Sequence, residues 1–199
     1  MELEKISAQY RKFTKGQYVA YDQFNEFLDH FEDQDRLSRI LLRGVGVTCG
    51  LKPVILNRNS VRLSSGSGIT TDGDLLNLEN TTYSFYREYD NFKAEYPPFY
   101  KDNGKQIELV ELIPDTKRNS SISDEIALSR LPDLDKRYVI LYLESYEEDA
   151  RPCKGVDCDS HGIEKVTNIR VLLTNKEGIA HLASTDSMYQ KETPMNVCL

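Results

Sequence analysis

Residues 42–51 read Leu42-Arg43-Gly44-Val45-Gly46-Val47-Thr48-Cys49-Gly50-Leu51, and within them the pattern of the chain changes from helix to strand. Upstream, Phe24, Phe27, Leu28 and Phe31, then Leu37, Ile40 and Leu41, recur at helical spacing. That periodicity predicts an amphipathic helix over residues 21–42. At 1.5 Å per residue it is ~33 Å long. Gln34 and Asp35 interrupt its apolar stripe. Arg36, Arg39 and Arg43 crowd its last turns, where positive charge complements the helix dipole, and Gly44 stops it. Downstream, small and β-branched residues alternate as in a strand, and the glycines let the chain turn where no Cβ would fit. They are not a phosphate loop, because they follow a helix and no Gly-Lys-Ser/Thr comes after them.

Working outward, Leu3, Ile6, Tyr10 and Phe13 share one face of a short first helix that Thr14-Lys15-Gly16 ends. After residue 51, Val54-Ile55-Leu56, Val61-Arg62-Leu63 and Leu75-Leu76-Asn77-Leu78 read as short strands. The turn signals between them are Asn57-Arg58-Asn59, Ser65-Gly66-Ser67-Gly68 and Asp72-Gly73, the last predicting a type I′ hairpin. Residues 90–136 are irregular, with one strand expected over 106–113 and one short helix over 124–131. Tyr138-Val139-Ile140-Leu141-Tyr142-Leu143 is the most hydrophobic run and predicts a central strand buried on both faces. Ile169-Arg170-Val171-Leu172-Leu173 is placed to pair with it. The fold class is therefore α+β, with N-terminal helices packed on a small, mostly antiparallel β-sheet or sandwich. The expected organisation is a helical segment over 1–44, a first β-region over 45–89, an irregular insertion over 90–136 and a second β-region over 137–199.

With 199 residues the chain is long enough for a real core, and 39% hydrophobic with 29% charged residues fits a globular protein with much solvated or partner-facing surface. A net charge of −7 without a dense basic stripe argues against nucleic acid and anionic membranes as partners. The charged start, Met1-Glu2-Leu3-Glu4-Lys5, has no apolar run behind it, and no stretch is apolar enough to span a bilayer. Cytoplasmic synthesis and assembly are expected, with extracellular release only as part of a particle. The apolar finish, Val197-Cys198-Leu199, reads equally as a segment docked on the core or as the start of a further element in a longer chain.

The sharpest candidate for chemistry is Cys153, Cys158 and His161 in one loop, three soft donors for zinc that lack a fourth nearby. Three readings stay open for the thiols: metal ligands, a disulfide, or free cysteines in a turn. An enzyme built on this loop is the weakest functional reading, and no other cofactor is implied. Cys49, among small residues, reads as a buried small hydrophobe rather than a nucleophile. Glu144, Glu147, Glu148 and Asp149 read as a solvated turn at a strand end. His30 reads as solvated or half-buried, and His181 has no evident partner. No catalytic residue emerges.

Three stretches together resemble a recurring N-terminal pattern of large structural proteins in phage-tail-like contractile injection systems. They are Gly16-Gln17-Tyr18-Val19-Ala20-Tyr21-Asp22-Gln23-Phe24-Asn25, then Gln34-Asp35-Arg36-Leu37, then Leu42-Arg43-Gly44-Val45-Gly46-Val47-Thr48-Cys49-Gly50-Leu51. Ser65-Gly66-Ser67-Gly68-Ile69-Thr70-Thr71-Asp72-Gly73 is similar to the family's next segment, a strand, a Gly-rich turn and a hairpin. The likeness covers residues 13–80, and 138–173 more loosely. Ala20 stands where the pattern has Thr, and Arg43 where it commonly has His. The resemblance implies a non-catalytic baseplate-type assembly part whose partners are other subunits of a large symmetric particle. On that reading Arg36, Arg39 and Arg43 form a basic edge for a neighbour's carboxylates, and reversing Arg36 and Arg39 should block assembly without unfolding the chain. The alternative is a β-rich fibre-attachment or carbohydrate-binding module using exposed Tyr83, Tyr86, Tyr89, Tyr96 and Tyr100.

Overall fold

A computed structural model describes residues 10–90, 95–117, 124–149 and 162–185. The architecture is α+β and the sheets are antiparallel throughout. The chain forms two compact units, one of Met1–Leu51 with Gly66–Leu78, the other of Lys52–Ser65 with Glu79–Leu199.

The first unit holds helix α1 (Tyr21–Arg43) and a three-stranded sheet. Its strands are β1 (Gly46–Gly50), β4 (Gly66–Ile69) and β5 (Leu75–Leu78), in the order β1-β4-β5. The helix falls within a residue of its predicted span. It ends where Gly44 takes a positive φ of 81°, with ψ 175°, a conformation that favours glycine, and returns its N–H to the Ile40 carbonyl. Ala20 precedes the first turn and offers no side-chain oxygen to the free amides there, which withholds ~1 kcal/mol that a Ser, Thr or Asp supplies.

Of the first helix expected on Leu3, Ile6, Tyr10 and Phe13, residues 1–9 lie outside the described residues, and 10–13 have no regular structure. They form a strap instead. The Tyr10 ring stacks on His30 at 5.0 Å and meets Phe31 edge-on at 5.9 Å, while Phe13 tilts against Phe27 at 5.7 Å. Arg11 adds an exposed ion pair to Glu26 at 3.1 Å.

Ser65-Gly66-Ser67-Gly68, expected as a turn, is mostly strand β4, and the glycines serve close approach. A Cβ on Gly66 would lie 2.3 Å from the Cys49 carbonyl oxygen and 2.5 Å from the Leu51 nitrogen, so only glycine lets β4 lie this close to β1. The same packing corrects Cys49. Its carbonyl is the group held close, and its side chain is exposed rather than buried.

The β4–β5 turn is also not of the predicted type. The Gly73 amide bonds the Thr70 carbonyl at 3.0 Å and Gly73 alone of the Asp72-Gly73 pair has positive φ. This is a type I turn followed by a left-handed glycine. The true type I′ turn joins β2 (Pro53–Leu56) to β3 (Ser60–Leu63), where Asn57 at φ 48° and Arg58 at φ 56° are both left-handed.

The second unit is a seven-stranded sheet in the order β2-β3-β6-β7-β10-β9, with β8 (Ile126–Ala127) paired to β6. Strand β6 is Thr81–Glu88, β7 Leu109–Pro114, β9 Tyr138–Asp149 and β10 Ile163–Thr174. The expected pairing of the two hydrophobic runs is present, with Ile169 opposite Leu143 and Val171 opposite Leu141.

The expectation that the first run is central is corrected. β9 is the sheet edge, and residues 139–143 are half-buried. The most deeply buried strands are β7, buried at five successive positions, and the second half of β10. The helix expected over 124–131 is instead the β8 bridge followed by a 3-10 turn, Leu128–Arg130. A helix not predicted, α2 (Lys176–Thr185), follows β10, its first turn capped by Asn175 Oδ1 accepting from the Gly178 amide at 2.8 Å.

The exposed tyrosine patch is also corrected. Tyr83, Tyr86 and Tyr89 are core residues, and Tyr96 and Tyr100 are half-buried. A β-bulge between Tyr83 and Phe85 adds one residue, so Tyr83 and Tyr86, an odd number apart, can face the same side. Tyr89 joins Phe99, Ile107, Leu109, Leu172 and Leu182 in a hydrophobic cluster with Tyr96, Tyr100 and Tyr142 at its margin.

Candidate docking surface

On α1 only Arg36 and Ile40 are buried. At 100° per residue they lie roughly 130° round the helix from a ridge of Phe24, Leu28, Phe31 and Leu42. That ridge faces solvent, with Phe24 52% exposed, Leu28 50%, Phe31 49% and Leu42 84%. Single exposed apolar side chains are ordinary, but several on one helix face, here interrupted between Phe31 and Leu42 by Asp35 and Ser38, make a candidate interaction surface. Every residue of β1 is exposed as well, and β1 is an edge of its sheet. Among the described residues β1 pairs on one side only, with β4.

The three arginines are separated by the fold. Arg36 is buried, its guanidinium bound to Glu32 at 2.8 Å and to Asp74 at 2.8 Å. Arg39 is half-buried, donating to the Gly73 carbonyl at 3.0 Å and reaching Asp35 at 3.4 Å. These two residues hold the β4–β5 turn against α1, where Gly73 leaves no room for a Cβ, its nearest neighbour being the Arg36 carbonyl oxygen at 2.7 Å. Arg43 is exposed. The basic edge expected of all three therefore reduces, on the outside of the unit, to Arg43 and part of Arg39.

The carboxylate cluster is placed differently from expectation. Glu144, Glu147 and Glu148 lie within β9, not in a turn, because the strand runs on to Asp149. Glu147 and Glu148 are exposed, but Glu144 is 1% exposed and belongs to a charged ladder across four strands. Arg170 on β10 bonds Glu144 Oε2 through Nε at 2.9 Å and Nη2 at 2.8 Å, and Glu111 Oε1 on β7 through Nη1 at 2.7 Å. Arg87 on β6 takes the other oxygen of Glu111 at 2.7 Å. Burial alone would loosen the proton of Arg170, and the hydrogen bonds and charges of Glu111 and Glu144 more than reverse this, holding it above the ordinary arginine range. The ladder leaves little trace in the sequence. Its one signal is a charged residue at an inward position of each hydrophobic strand.

Two core tyrosines are displaced upward as acids. For Tyr89 the cause is burial first, then the neighbouring Tyr142 and Glu144, against a smaller pull from Arg170. For Tyr83 it is burial, opposed by a hydrogen bond with Thr81. Both phenols keep in the folded state a proton that the unfolded chain releases near pH ~10. Their contribution to stability is thus complete below pH ~10 and lost as pH rises through their folded values, by ~1.4 kcal/mol per pH unit for each. An absorbance titration is expected to leave these two of the twelve tyrosines un-ionised until the chain unfolds. A single phase for all of them near pH ~10 would contradict the packing.

Cys153, Cys158 and His161 lie outside the described residues, as do Cys198 and the chain end. Among the described residues no three His, Cys, Asp or Glu side chains stand together as a metal site, and no helix is long and apolar enough to cross a membrane. His30 is half-buried against Tyr10 and Phe31, and His181 has a partner, the Tyr100 carbonyl oxygen at 3.0 Å. No family model and no curated protein matches the chain.

Proposed function

We propose that this chain is a non-catalytic structural part, of baseplate type, in a phage-tail-like contractile injection system, and that it works by docking onto other subunits through α1 and the β1 edge. The observation that carries the reading is the solvent-facing ridge of Phe24, Leu28, Phe31 and Leu42, set away from the face that holds the β4–β5 turn. A protein working alone gains nothing from leaving four large apolar side chains in line on one helix, whereas an assembly part buries them on docking. The helix and glycine run that bear this surface are the same residues that resemble the injection-system pattern.

The test is to purify particles through a tag on this chain. Sheath, tube and spike proteins are expected in fixed ratio to it. Leu28→Asp with Leu42→Asp is expected to remove the chain from the particle while the purified variant stays folded. Recovery of the tagged protein without those partners would refute the proposal.

A further inference from the structure

Phe24, Phe27, Leu28 and Phe31 form one i, i+3, i+4, i+7 stripe on α1, yet they do not meet solvent alike. Phe24 and Leu28 are open, while Phe13 tilts against Phe27 at 5.7 Å and Tyr10 meets Phe31 edge-on at 5.9 Å. The strap of residues 10–13 thus already sits on one margin of the docking face.

What holds the strap is slight. Apart from the ring contacts, its ion pair is Arg11 to Glu26, with both side chains more than half exposed, where water screens the attraction. Among the described residues no main-chain hydrogen bond ties 10–13 to α1. The nearest closes the turn behind the strap, from the Gln17 amide to the Thr14 carbonyl at 3.2 Å. Gly16, at φ 83° with open space around it, belongs to that turn and gives the strap a pivot. Closure is also opposed. Gln23 Oε1 and His30 Nδ1, seven residues apart on the same side of the helix, are buried with no hydrogen-bond partner, and the Tyr10 ring lies on His30. Such atoms favour a state that returns them to water.

We infer that residues 10–13 are a displaceable strap, which closes the Phe27 and Phe31 margin of α1 in the free chain and gives way to a docking subunit. This rests on the docking reading above and names how that same surface is regulated. Swinging the strap out adds Phe27, the rest of Phe31 and the His30 ring to Phe24 and Leu28, so the face offered to a partner widens. Until then the apparent affinity is reduced by the fraction of chains whose strap is open, which restrains association of the free chain.

Tyr10→Ala with Phe13→Ala opens the strap by removing its rings. Arg11→Glu opens it by setting two carboxylates together, with every apolar side chain kept. Hydroxyl-radical labelling of Phe27 in the isolated alanine variant is expected to rise about threefold, with Phe24 unchanged as internal reference. Unchanged labelling of Phe27 overturns the inference, because another segment then covers it.

Each variant is then expressed beside wild type at equal level, and the ratio of the two in purified particles is read by mass spectrometry. Both variants are expected to be enriched, the alanine pair about threefold, and adding Glu26→Arg to Arg11→Glu should return the ratio to that of wild type. An equal or smaller share for the variants overturns the inference, since the strap is then idle or part of the contact. Leu28→Asp with Leu42→Asp tests the docking surface separately. Its exclusion from the same particles upholds docking through α1 whatever the strap does, and its undiminished entry sinks that reading and the displaced strap together.

Discussion

Replacing Arg170 with methionine is expected to destabilise the second unit by ~3–5 kcal/mol, a large fraction of what holds a domain together. The reason is what the substitution strands. Arg170 bonds both Glu144, 1% exposed, and Glu111, itself buried. Without the guanidinium two carboxylates remain inside the sheet, with Arg87 left to serve Glu111 alone. Breaking a buried pair by removing one partner costs more than the pair itself contributes, because the remaining charge has lost both water and counter-ion. A triple variant with Arg170→Met, Glu111→Leu and Glu144→Leu should therefore regain most of the loss. Urea unfolding monitored by circular dichroism distinguishes the cases. A loss under ~1 kcal/mol for Arg170→Met alone would mean that the ladder is solvated.

Arg36→Glu is expected to unfold the first unit, at the lower end of the same ~3–5 kcal/mol because Glu32 and Asp74 are partly exposed. The substituted side chain would be a third carboxylate beside two others, in a place where Arg36 is 5% exposed. It would also release the β4–β5 turn, which Arg36 holds through Asp74. Reversal of Arg36 thus tests folding, not docking, contrary to the reading of the three arginines as one exposed edge. Arg43→Glu supplies the surface test and is expected to change stability by no more than ~0.5 kcal/mol. Limited proteolysis of the two variants compares them directly. Equal resistance of Arg36→Glu and wild type would contradict the buried role.

Both results turn on what periodicity can and cannot reveal. The spacing of Phe24, Leu28, Phe31 and Ile40 located α1 almost to the residue, because helical repeat and a terminal glycine are local signals. Which face of α1 finds the core is not local. It depends on Asp74, 38 positions from Arg36, and on Gly73 admitting the helix backbone. The apolar stripe was legible, but its facing outward was not. In the same way the run at 138–143 was recognisable as strand, but its place at the sheet edge depends on β10 coming between it and β7.

Gly66 and Gly68 read as a turn in the sequence because glycine has two uses, and only the neighbouring carbonyls, of Cys49 for Gly66 and of Gly46 for Gly68, show that close approach is the one in force. Glu144 sits among other acids in sequence, so its pairing with Arg170, 26 positions on, leaves no local trace. The tyrosines expected as a surface patch went inward for a related reason, since the bulge near Phe85 resets the alternation on which the expectation relied.

Hydroxyl-radical footprinting compares the labelling of Phe24, Leu28 and Leu42 in the isolated chain at high dilution with that in purified particles. Burial of the α1 ridge on assembly predicts strong labelling of all three in the dilute chain and marked protection in the particle, with Arg43 protected at the margin. Undiminished labelling in particles that contain the chain would contradict the claim that this face is where the protein is gripped.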